Sequence, residues 1–166
     1  LDGNGSQELV TSNSGRILVT NARDGSDYQT AIDFPMGTPH APLLADVDNN
    51  GDLEIIVKSD RSRLGEHKIH VFNKQGNLLP GWPKDVTNPL DISKESNWLS
   101  LADIDSDGKV EIFYNDNIGK FYGLRFDGTN IPGWPVTVPE GDSSPHIIAD
   151  IDGDNQPEIV WGGICK

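Results

Sequence analysis

A nine-residue acidic pattern constrains the fold of this chain more than any other feature. Its clearest example reads Asp-Ile-Asp-Ser-Asp-Gly-Lys-Val-Glu over residues 103–111, and equivalent copies occupy residues 46–54 and 150–158. A shorter copy occupies residues 2–8. Aligned on position three, successive copies are 46, 57 and 47 residues apart. Self-similarity at this spacing indicates repeats of one supersecondary unit, and the period suits four strands per repeat.

Alternate positions of each copy carry oxygen donors that can converge on one ion. In residues 103–111 they are Asp103, Asp105 and Asp107, and Glu111 follows at position nine. They can meet only where the backbone curls tightly, and Gly108 supplies the positive φ that such a curl needs. The alternative, that Asp and Asn only form Asx-turns, leaves about 4 kcal/mol of repulsion for each close carboxylate pair at an effective dielectric of about 20. A donor set made only of oxygen therefore predicts Ca²⁺.

The predicted cation ligands occupy the same positions in every copy, with a backbone carbonyl at position seven. In the third complete copy Asn155 replaces glycine at position six, and Asn enters the left-handed region at lower cost than most residues. We predict three complete sites and a partial fourth. They comprise Asp46, Asp48, Asn50, Asp52 and Glu54; Asp103, Asp105, Asp107, Lys109 and Glu111; Asp150, Asp152, Asp154, Gln156 and Glu158; and, in the partial site, Asp2, Asn4 and Glu8.

Each acidic copy runs directly into a segment that favours a strand, namely Glu-Ile-Ile-Val, Glu-Ile-Phe-Tyr or Glu-Ile-Val-Trp. An EF-hand loop differs because its last carboxylate is at position twelve and a helix follows. Further strand segments flank turns at Asp24-Gly25, Gln75-Gly76 and Asp127-Gly128. No stretch of the chain keeps a helical period. These observations predict an all-β protein.

With these motifs the chain resembles the FG-GAP or VCBS-type β-propeller repeats, a group that includes the integrin α-chain propeller and many secreted bacterial proteins. The resemblance implies about three four-stranded antiparallel blades plus one extra strand, in one propeller segment. Repeats are expected at approximately 1–45, 46–102, 103–149 and, in part, 150–166. Glutamate at position nine departs from the aspartate common in the family. Because propellers usually close with 4 to 8 blades, we expect a fragment of a larger propeller, or copies that combine to complete a ring.

Composition limits the possible functions. The net charge of −13 argues against nucleic acid as a partner, and 14 of the 26 acidic residues lie in the four acidic copies. No segment approaches the roughly 20 apolar residues needed to span a bilayer, no signal peptide is recognisable, and the single cysteine excludes an internal disulfide. No arrangement typical of nucleophilic catalysis, phosphate binding or zinc binding is visible. Every paired carboxylate belongs to a predicted cation loop.

We therefore expect a calcium-binding scaffold that is secreted or on the cell surface and that presents loops to a protein or glycan ligand. Calcium sites of extracellular modules bind with dissociation constants of about 10⁻⁴ to 10⁻³ M, which suits a calcium-rich exterior. Further expected partners are the remaining blades of a larger chain or a self-association partner. The alternative hypothesis is the propeller portion of a secreted polysaccharide lyase, such as a rhamnogalacturonan lyase, or an accessory domain of a secreted peptidase. A general base elsewhere in the full-length protein would favour that alternative.

One loop departs from the repeat. The second turn glycine follows the position-nine glutamate by 17 residues after Glu8 and after Glu111, but by 22 residues after Glu54. About five residues are therefore inserted within residues 58–68. This segment is basic in an acidic chain. Arg61, Arg63 and His67 form a possible ligand loop, in which the two guanidinium groups could clamp a carboxylate of an acidic sugar or partner. The alternative is a solvated hairpin tip.

A Pro-Gly-Trp-Pro element occurs at residues 80–83 and again at 132–135. We predict that its prolines define an outer, edge-like strand and that its tryptophan fills the gap between neighbouring blades. The alternative is an exposed tryptophan that stacks on a sugar. His40 and His146 follow prolines at matching positions and are assigned to packing in the same way.

Overall fold

The computed structural model describes residues 5–13, 15–26, 32–33, 38–61, 66–86, 98–116, 119–137 and 145–161. These residues form strands, turns and loops and contain no helix, which confirms the predicted all-β class. They accordingly contain no helix long and apolar enough to cross a membrane. In chain order the strands are β1 (Glu8–Asn13), β2 (Arg16–Asn21), β3 (Ile32–Asp33), β4 (Thr38–Pro39), β5 (Leu43–Ala45), β6 (Glu54–Arg61), β7 (Glu66–Phe72), β8 (Lys84–Asp85), β9 (Ser100–Ala102), β10 (Glu111–Asn115), β11 (Lys120–Leu124), β12 (Val136–Thr137), β13 (His146–Ala149) and β14 (Glu158–Trp161).

The described strands form four antiparallel sheets. The first has the order β1-β2-β3, and the second has the order β4-β6-β7-β8, with β5 pairing to β6 beside β4. The third is β9-β10-β11-β12, and the last is the hairpin β13-β14. Four strands in sequential order is the number expected for one propeller blade. The arrangement of the sheets as blades stays a prediction.

Each complete acidic copy joins two antiparallel strands that pair with each other, namely β5 with β6, β9 with β10 and β13 with β14. The position-nine glutamate pairs with the alanine that precedes the position-one aspartate, as Glu111 does with Ala102. The same pairs occur between Glu54 and Ala45 and between Glu158 and Ala149. This register brings the two ends of each acidic copy side by side. Each of these sheets therefore begins before its acidic copy, whereas the predicted repeats begin at the copy itself.

The Pro-Gly-Trp-Pro elements are turns, and the prediction that they form outer strands was wrong. The amide of Trp82 donates to the carbonyl of Leu79 at 3.2 Å, and that of Trp134 donates to Ile131 at 3.0 Å. The glycine between them has a φ of 91° in the first element and 86° in the second. A positive φ turns the chain away from an extended course. The outer strands, β8 and β12, begin only after the second proline.

The chain divides into two compact units, which comprise residues Leu1–Asp46 with Asn50–Thr87 and residues Val47–Asn49 with Asn88–Lys166. Each unit contains an apolar cluster built from two sheets. In the first unit the cluster joins β1–β3 to the second sheet through Val10, Ile17, Val19, Ile32, Ile55, Val57 and Phe72. In the second unit it joins the third sheet to β13–β14 through Ala102, Ile104, Phe113, Phe121, Ile131, Trp134, Ile148 and Ile159. Burial of these side chains holds the strands that flank each acidic loop.

Candidate metal centres

Each complete acidic copy brings three carboxylates together. Within each group, one oxygen from every residue lies within 4.8 Å of the others, which is close enough for a shared metal ion. The groups contain positions one, three and nine of the predicted ligand sets. They are Asp46, Asp48 and Glu54; Asp103, Asp105 and Glu111; and Asp150, Asp152 and Glu158.

The position-one aspartate is held by the backbone of its own loop. Asp103 accepts hydrogen bonds from the amides of Asp107 and Gly108, at 3.1 and 2.9 Å, one on each carboxylate oxygen. Asp46 and Asp150 each accept two loop amides in the same way, at distances of 2.7 to 2.9 Å. Each of these oxygens keeps further acceptor capacity. The loop therefore fixes the carboxylate in place and leaves it able to bind a cation.

In two of the three complete copies, the position-nine glutamate is buried. Glu54 and Glu111 are each 1% exposed, and Glu111 accepts a hydrogen bond from the amide of Ile104 at 3.0 Å. Burial raises the pKa of Glu111; the Ile104 amide opposes that rise, and the charges of Asp105, Asp107 and Asp103 add to it. A cation at this point would relieve both the burial of the charge and the repulsion between carboxylates.

The position-five side chains hydrogen-bond to the backbone of their own loops. The side chain of Asp107 accepts the amide of Lys109 at 2.8 Å and lies outside the close carboxylate group. Asn50 and Asp154 accept the position-seven amides of their loops at 2.7 Å. These are Asx-turns, so the Asx-turn alternative and the cation pattern coexist in one loop. The roles of the position-five side chains and position-seven carbonyls as ligands stay predictions.

The backbone of each loop has two residues at positive φ. Position six, for which the sequence predicted it, has φ of 90° at Gly51, 84° at Gly108 and 67° at Asn155. Position four was missed, although Asn49, Ser106 and Gly153 have φ of 60°, 57° and 81°. The available signal was the small or Asx-type residue at this position in every copy. Two such residues produce the tight curl that brings positions one, three and nine together.

The donor set fits a hard cation. All donors in the three groups are carboxylate oxygens, which suit calcium better than a softer metal. Oδ1 of Asp48 is buried and makes no hydrogen bond within the described part of the chain. A buried carboxylate oxygen with no donor is costly unless a cation supplies the missing interaction. Asp46, Asp48 and Glu54 are therefore the side chains that would hold an ion in the first loop.

Basic side chains approach two of the three loops, and sequence reasoning missed both. Arg125 donates from Nη2 to Oδ2 of Asp105 at 3.1 Å, so it contacts a member of the carboxylate group. Lys74 donates to Oδ1 of Asp52 at 2.8 Å, which lies outside that group. Both are about 20 residues from their partners in sequence, beyond the acidic pattern. Only the pairing of β6 with β7 and of β10 with β11 places them there.

The partial fourth site is only partly described, because Asp2 and Asn4 lie outside the described residues. Glu8 begins β1, as the other position-nine glutamates begin β6, β10 and β14. Gly5, at position six, has a φ of 83°. The described half of this copy therefore follows the conformation of the complete copies.

The predicted ligand loop extends the hairpin between β6 and β7. These strands have eight and seven residues, against five each for β10 and β11. Arg61 pairs through its backbone with Glu66, whereas Arg63 and the side chain of Arg61 lie outside the described part. His67 is only 5% exposed. Its ring is therefore inside the protein and not on a surface that meets a ligand.

The repeated tryptophans have packing roles. Trp82 is 7% exposed, and Trp134 lies 5.2 Å from Phe113 and 5.8 Å from Phe121 between ring centroids. His146 is buried with its ring edge-on to Phe121 at 4.5 Å. These contacts favour the packing interpretation over sugar stacking on an exposed tryptophan.

Comparison with known proteins shows a family resemblance in part of the chain. Residues 103–161 match the model of the FG-GAP-like repeat, and this range contains the second and third carboxylate groups. The chain carries an FG-GAP-like repeat. Its fold is similar to that of the V. cholerae biofilm matrix protein Bap1, with a TM-score of 0.57 and 22% identity over 98% of this chain and 26% of that chain. A 64-residue stretch is 30% identical to a levansucrase from Bacillus amyloliquefaciens.

The chain is much shorter than these relatives. The levansucrase match covers 38% of this chain and 14% of the levansucrase. The Bap1 match covers about a quarter of that protein. The similarity to Bap1 therefore concerns the fold, and the levansucrase match concerns one short stretch.

Proposed function

We propose that this chain is a calcium-binding, extracellular repeat scaffold whose sheets are β-propeller blades and whose surface serves a protein or glycan ligand. The observation that carries the proposal is the threefold occurrence of one geometry. In each loop, carboxylates at positions one, three and nine come within 4.8 Å of one another, and the loop backbone orients the first of them. Three independent copies of the same costly arrangement favour a common cation.

Calcium would act on stability. It would neutralise the carboxylates that the pairing of the two strands flanking each loop brings together, and the buried glutamates would no longer be uncompensated charges. Because only the folded chain assembles the loop, each ion would stabilise the fold by about 2.7 kcal/mol at a concentration 100-fold above its dissociation constant. The scaffold would thus be rigid in a calcium-rich medium and weakened where calcium is scarce.

A need for calcium for stability favours a location outside the cell. Loops of this kind in extracellular modules bind calcium in the range of about 10⁻⁴ to 10⁻³ M, a concentration that the outside of a cell supplies. The fold similarity to Bap1, a biofilm matrix protein, supports the same assignment. We further propose that the partners are other blades of a larger chain or further copies of this one.

Calorimetry and thermal denaturation test the proposal. Titration of calcium into metal-free protein should give three ions per chain, and Asp105→Asn should lower that number by one. Asp33→Asn is a matched control, because Asp33 is an exposed carboxylate that pairs with Arg16 outside the loops. Excess EGTA should lower the melting temperature, and Mg²⁺ should restore it poorly. A melting curve that calcium does not change, in protein shown by elemental analysis to be free of it, would contradict the proposal.

The enzyme alternative remains a separate proposal. The likeness to a levansucrase covers too little of either chain to transfer its activity. The reading frame of the full-length protein tests this alternative. A catalytic domain there, together with a general base near the loops of this segment, would favour a role as part of a secreted carbohydrate-active enzyme or peptidase.

A further inference from the structure

The first complete acidic loop differs from the other two at positions five and six. These positions read Asn-Gly at residues 50–51, Asp-Gly at residues 107–108 and Asp-Asn at residues 154–155. Among the three complete loops, only the first therefore combines a side-chain amide at position five with a glycine after it. The same pair occurs at residues 4–5, where Asn4 lies outside the described residues.

The backbone of the first loop activates the side-chain amide of Asn50. Its Oδ1 accepts a hydrogen bond from the amide of Asp52 at 2.7 Å. This donor withdraws electrons from Cγ and would stabilise the negative charge that an attack on Cγ places on the oxygen. The amide of the intervening Gly51 donates to Oδ2 of Asp46 at 2.8 Å. An acceptor for the hydrogen that the Gly51 nitrogen must lose is therefore in place.

The Asn50-Gly51 pair is open to solvent. Both residues are exposed, and a Cβ added at Gly51 would meet no heavy atom within 4 Å other than those of its chain neighbours. Water can therefore reach the pair, and no side chain hinders the Gly51 nitrogen. Gly51 has a φ of 90°, a conformation that strains residues with a side chain, so the loop itself favours glycine here.

We propose that Asn50 is a site of spontaneous deamidation in the metal-free chain and that calcium in the first loop protects it. The backbone nitrogen of Gly51 attacks Cγ of Asn50, so that a nitrogen–Cγ bond forms and the bond from Cγ to Nδ2 breaks. The side-chain amino group leaves as ammonia, together with the hydrogen that the Gly51 nitrogen loses. Water then opens the five-membered imide at one of its two carbonyls, which gives aspartate or isoaspartate at residue 50.

Protection by calcium follows from the residues that the reaction and the ion share. Asp46 belongs to the carboxylate group of the first loop, and Asn50 is a predicted ligand of the same site. An ion in the loop would occupy the acceptor for the Gly51 hydrogen and oppose the rotation that carries Cγ of Asn50 onto the nitrogen. The rate should follow the metal-free fraction, and should fall about 100-fold at calcium 100-fold above the dissociation constant. This part of the inference rests on the proposed calcium function.

The two products change the first loop differently. Aspartate at position five supplies the carboxylate that the other two complete loops already carry at this position. Isoaspartate directs the main chain through the former side chain and adds one carbon atom to it before Gly51. That shift removes Gly51 from the place in the curl that its positive φ serves, so the isoaspartyl form should lose its first ion. A molecule kept without calcium therefore acquires a lasting chemical mark at residue 50.

Peptide mapping by mass spectrometry measures the reaction, because replacement of NH₂ by OH changes the mass and the two products separate by chromatography. The chain is incubated for several days in calcium or in excess EGTA, at a temperature where circular dichroism shows both samples folded. Asn50 should be converted in EGTA and preserved in calcium. Asp107 is an internal comparison in the same loop geometry. It should isomerise more slowly, because a carboxylate ion is a poorer electrophile than an amide.

Two matched variants show which loop gives the protection. Asp48→Asn removes one carboxylate of the first group and spares the hydrogen bonds of Asn50 and Gly51, so calcium should no longer protect Asn50. Asp105→Asn makes the same change in the second group, and calcium should protect Asn50 as in the parent chain. Continued protection in the first variant or lost protection in the second would overturn the proposal.

Two results in the parent chain would also overturn it. One is an Asn50 that survives in EGTA while the chain is folded, and the other is equal conversion in calcium and in EGTA. The melting curve shows whether the calcium proposal falls as well. A calcium-dependent shift of that curve would leave calcium binding intact and reject only the modification at Asn50, whereas an unshifted curve would reject both.

Discussion

Nη2 of Arg125 donates to Oδ2 of Asp105 at 3.1 Å, so a guanidinium lies against the middle carboxylate group. In the first loop, Lys74 donates to Oδ1 of Asp52 at position seven, which is not one of the three carboxylates of the close group. Both Arg125 and Asp105 are about one-third exposed, so their attraction is partly screened by water. A cation that enters the middle loop must compete with this side chain.

Replacement of Arg125 by glutamine should tighten calcium binding at the middle loop. An exposed ion pair contributes at most about 1 kcal/mol, so the dissociation constant should fall by up to about fivefold. Lys74→Gln is the control and should leave the affinity of the first loop less changed, because its partner lies outside the carboxylate group. Calorimetric titration of both variants provides the measurement. Weaker binding in the Arg125 variant would show instead that the guanidinium orients Asp105 for the ion.

The loss of stability caused by a substitution at Gly108 should depend on how well the new residue tolerates a positive φ. Its φ is 84°, and an added Cβ would lie 3.1 Å from Nδ2 of Asn49, a side-chain atom that can move. Gly108→Ala should therefore destabilise the chain by about 1 to 2 kcal/mol, mainly through backbone strain. Gly108→Asn should cost less, because Asn155 occupies the same position at a φ of 67°. Urea denaturation in calcium measures both, and equal losses for the two variants would contradict this explanation.

A larger residue at Gly123 should destabilise the protein for a different reason. A Cβ there would lie 2.5 Å from Cδ1 of Ile131 and 2.9 Å from Cε1 of Phe113. Gly123→Ala should cost about 1 to 3 kcal/mol through overpacking, visible as a lower urea midpoint. The equivalent residue in the second sheet is Val71. Its carbonyl accepts a hydrogen bond from the amide of Leu79, as the carbonyl of Gly123 does from the amide of Ile131. An unchanged midpoint for Gly123→Ala would show that the cluster has room to rearrange.

Buried His146 should make the second unit sensitive to acid. It is 6% exposed, and burial lowers its pKa from 6.5 to about 4, partly opposed by the backbone of Phe113. The unfolded chain takes up this proton near pH 6.5 and the folded chain only near pH 4, so stability is full above pH 6.5 and falls as the pH is lowered between these values. The loss approaches about 3 kcal/mol at pH 4.

His146→Phe isolates this effect from the protonation of carboxylates. The variant keeps an aromatic ring against Phe121 and removes the titrating group. Chemical denaturation from pH 7 to pH 5 should show a loss of stability smaller by about 2 kcal/mol in the variant than in the parent chain. Parallel pH profiles for the two proteins would exclude His146 as the cause.

The acidic loops and the strands after them could be predicted because their information is local. Asp103, Gly108 and Glu111 stand within nine residues, and their spacing alone predicts a curled loop that enters a strand. The turn role of the Pro-Gly-Trp-Pro elements could not be predicted as easily. Proline at an edge strand and proline beside a turn glycine give the same composition, and only the φ of Gly81 and Gly133 distinguishes them.

Contacts set by strand pairing lie beyond such local patterns. Arg125 reaches Asp105 only because β11 pairs with β10, and His67 is buried only because β7 lies within a sheet. A basic segment in an acidic chain predicted surface recognition for His67. The period-two alternation of β7 places that ring on a covered face instead.

The directional order of sheet faces has a consequence for how such a chain can change length. Within each unit, the first sheet contributes the second residue after its position-nine glutamate and the next sheet contributes the first, as Val10 and Ile55 do in the first unit and Phe113 and Ile159 do in the second. A gene duplication or deletion whose breakpoints fall at equivalent codons of two repeats adds or removes one whole sheet with its loop. The new junction then brings together the same two kinds of face as the old one. Recombination can therefore alter the repeat number without requiring compensating substitutions in any core.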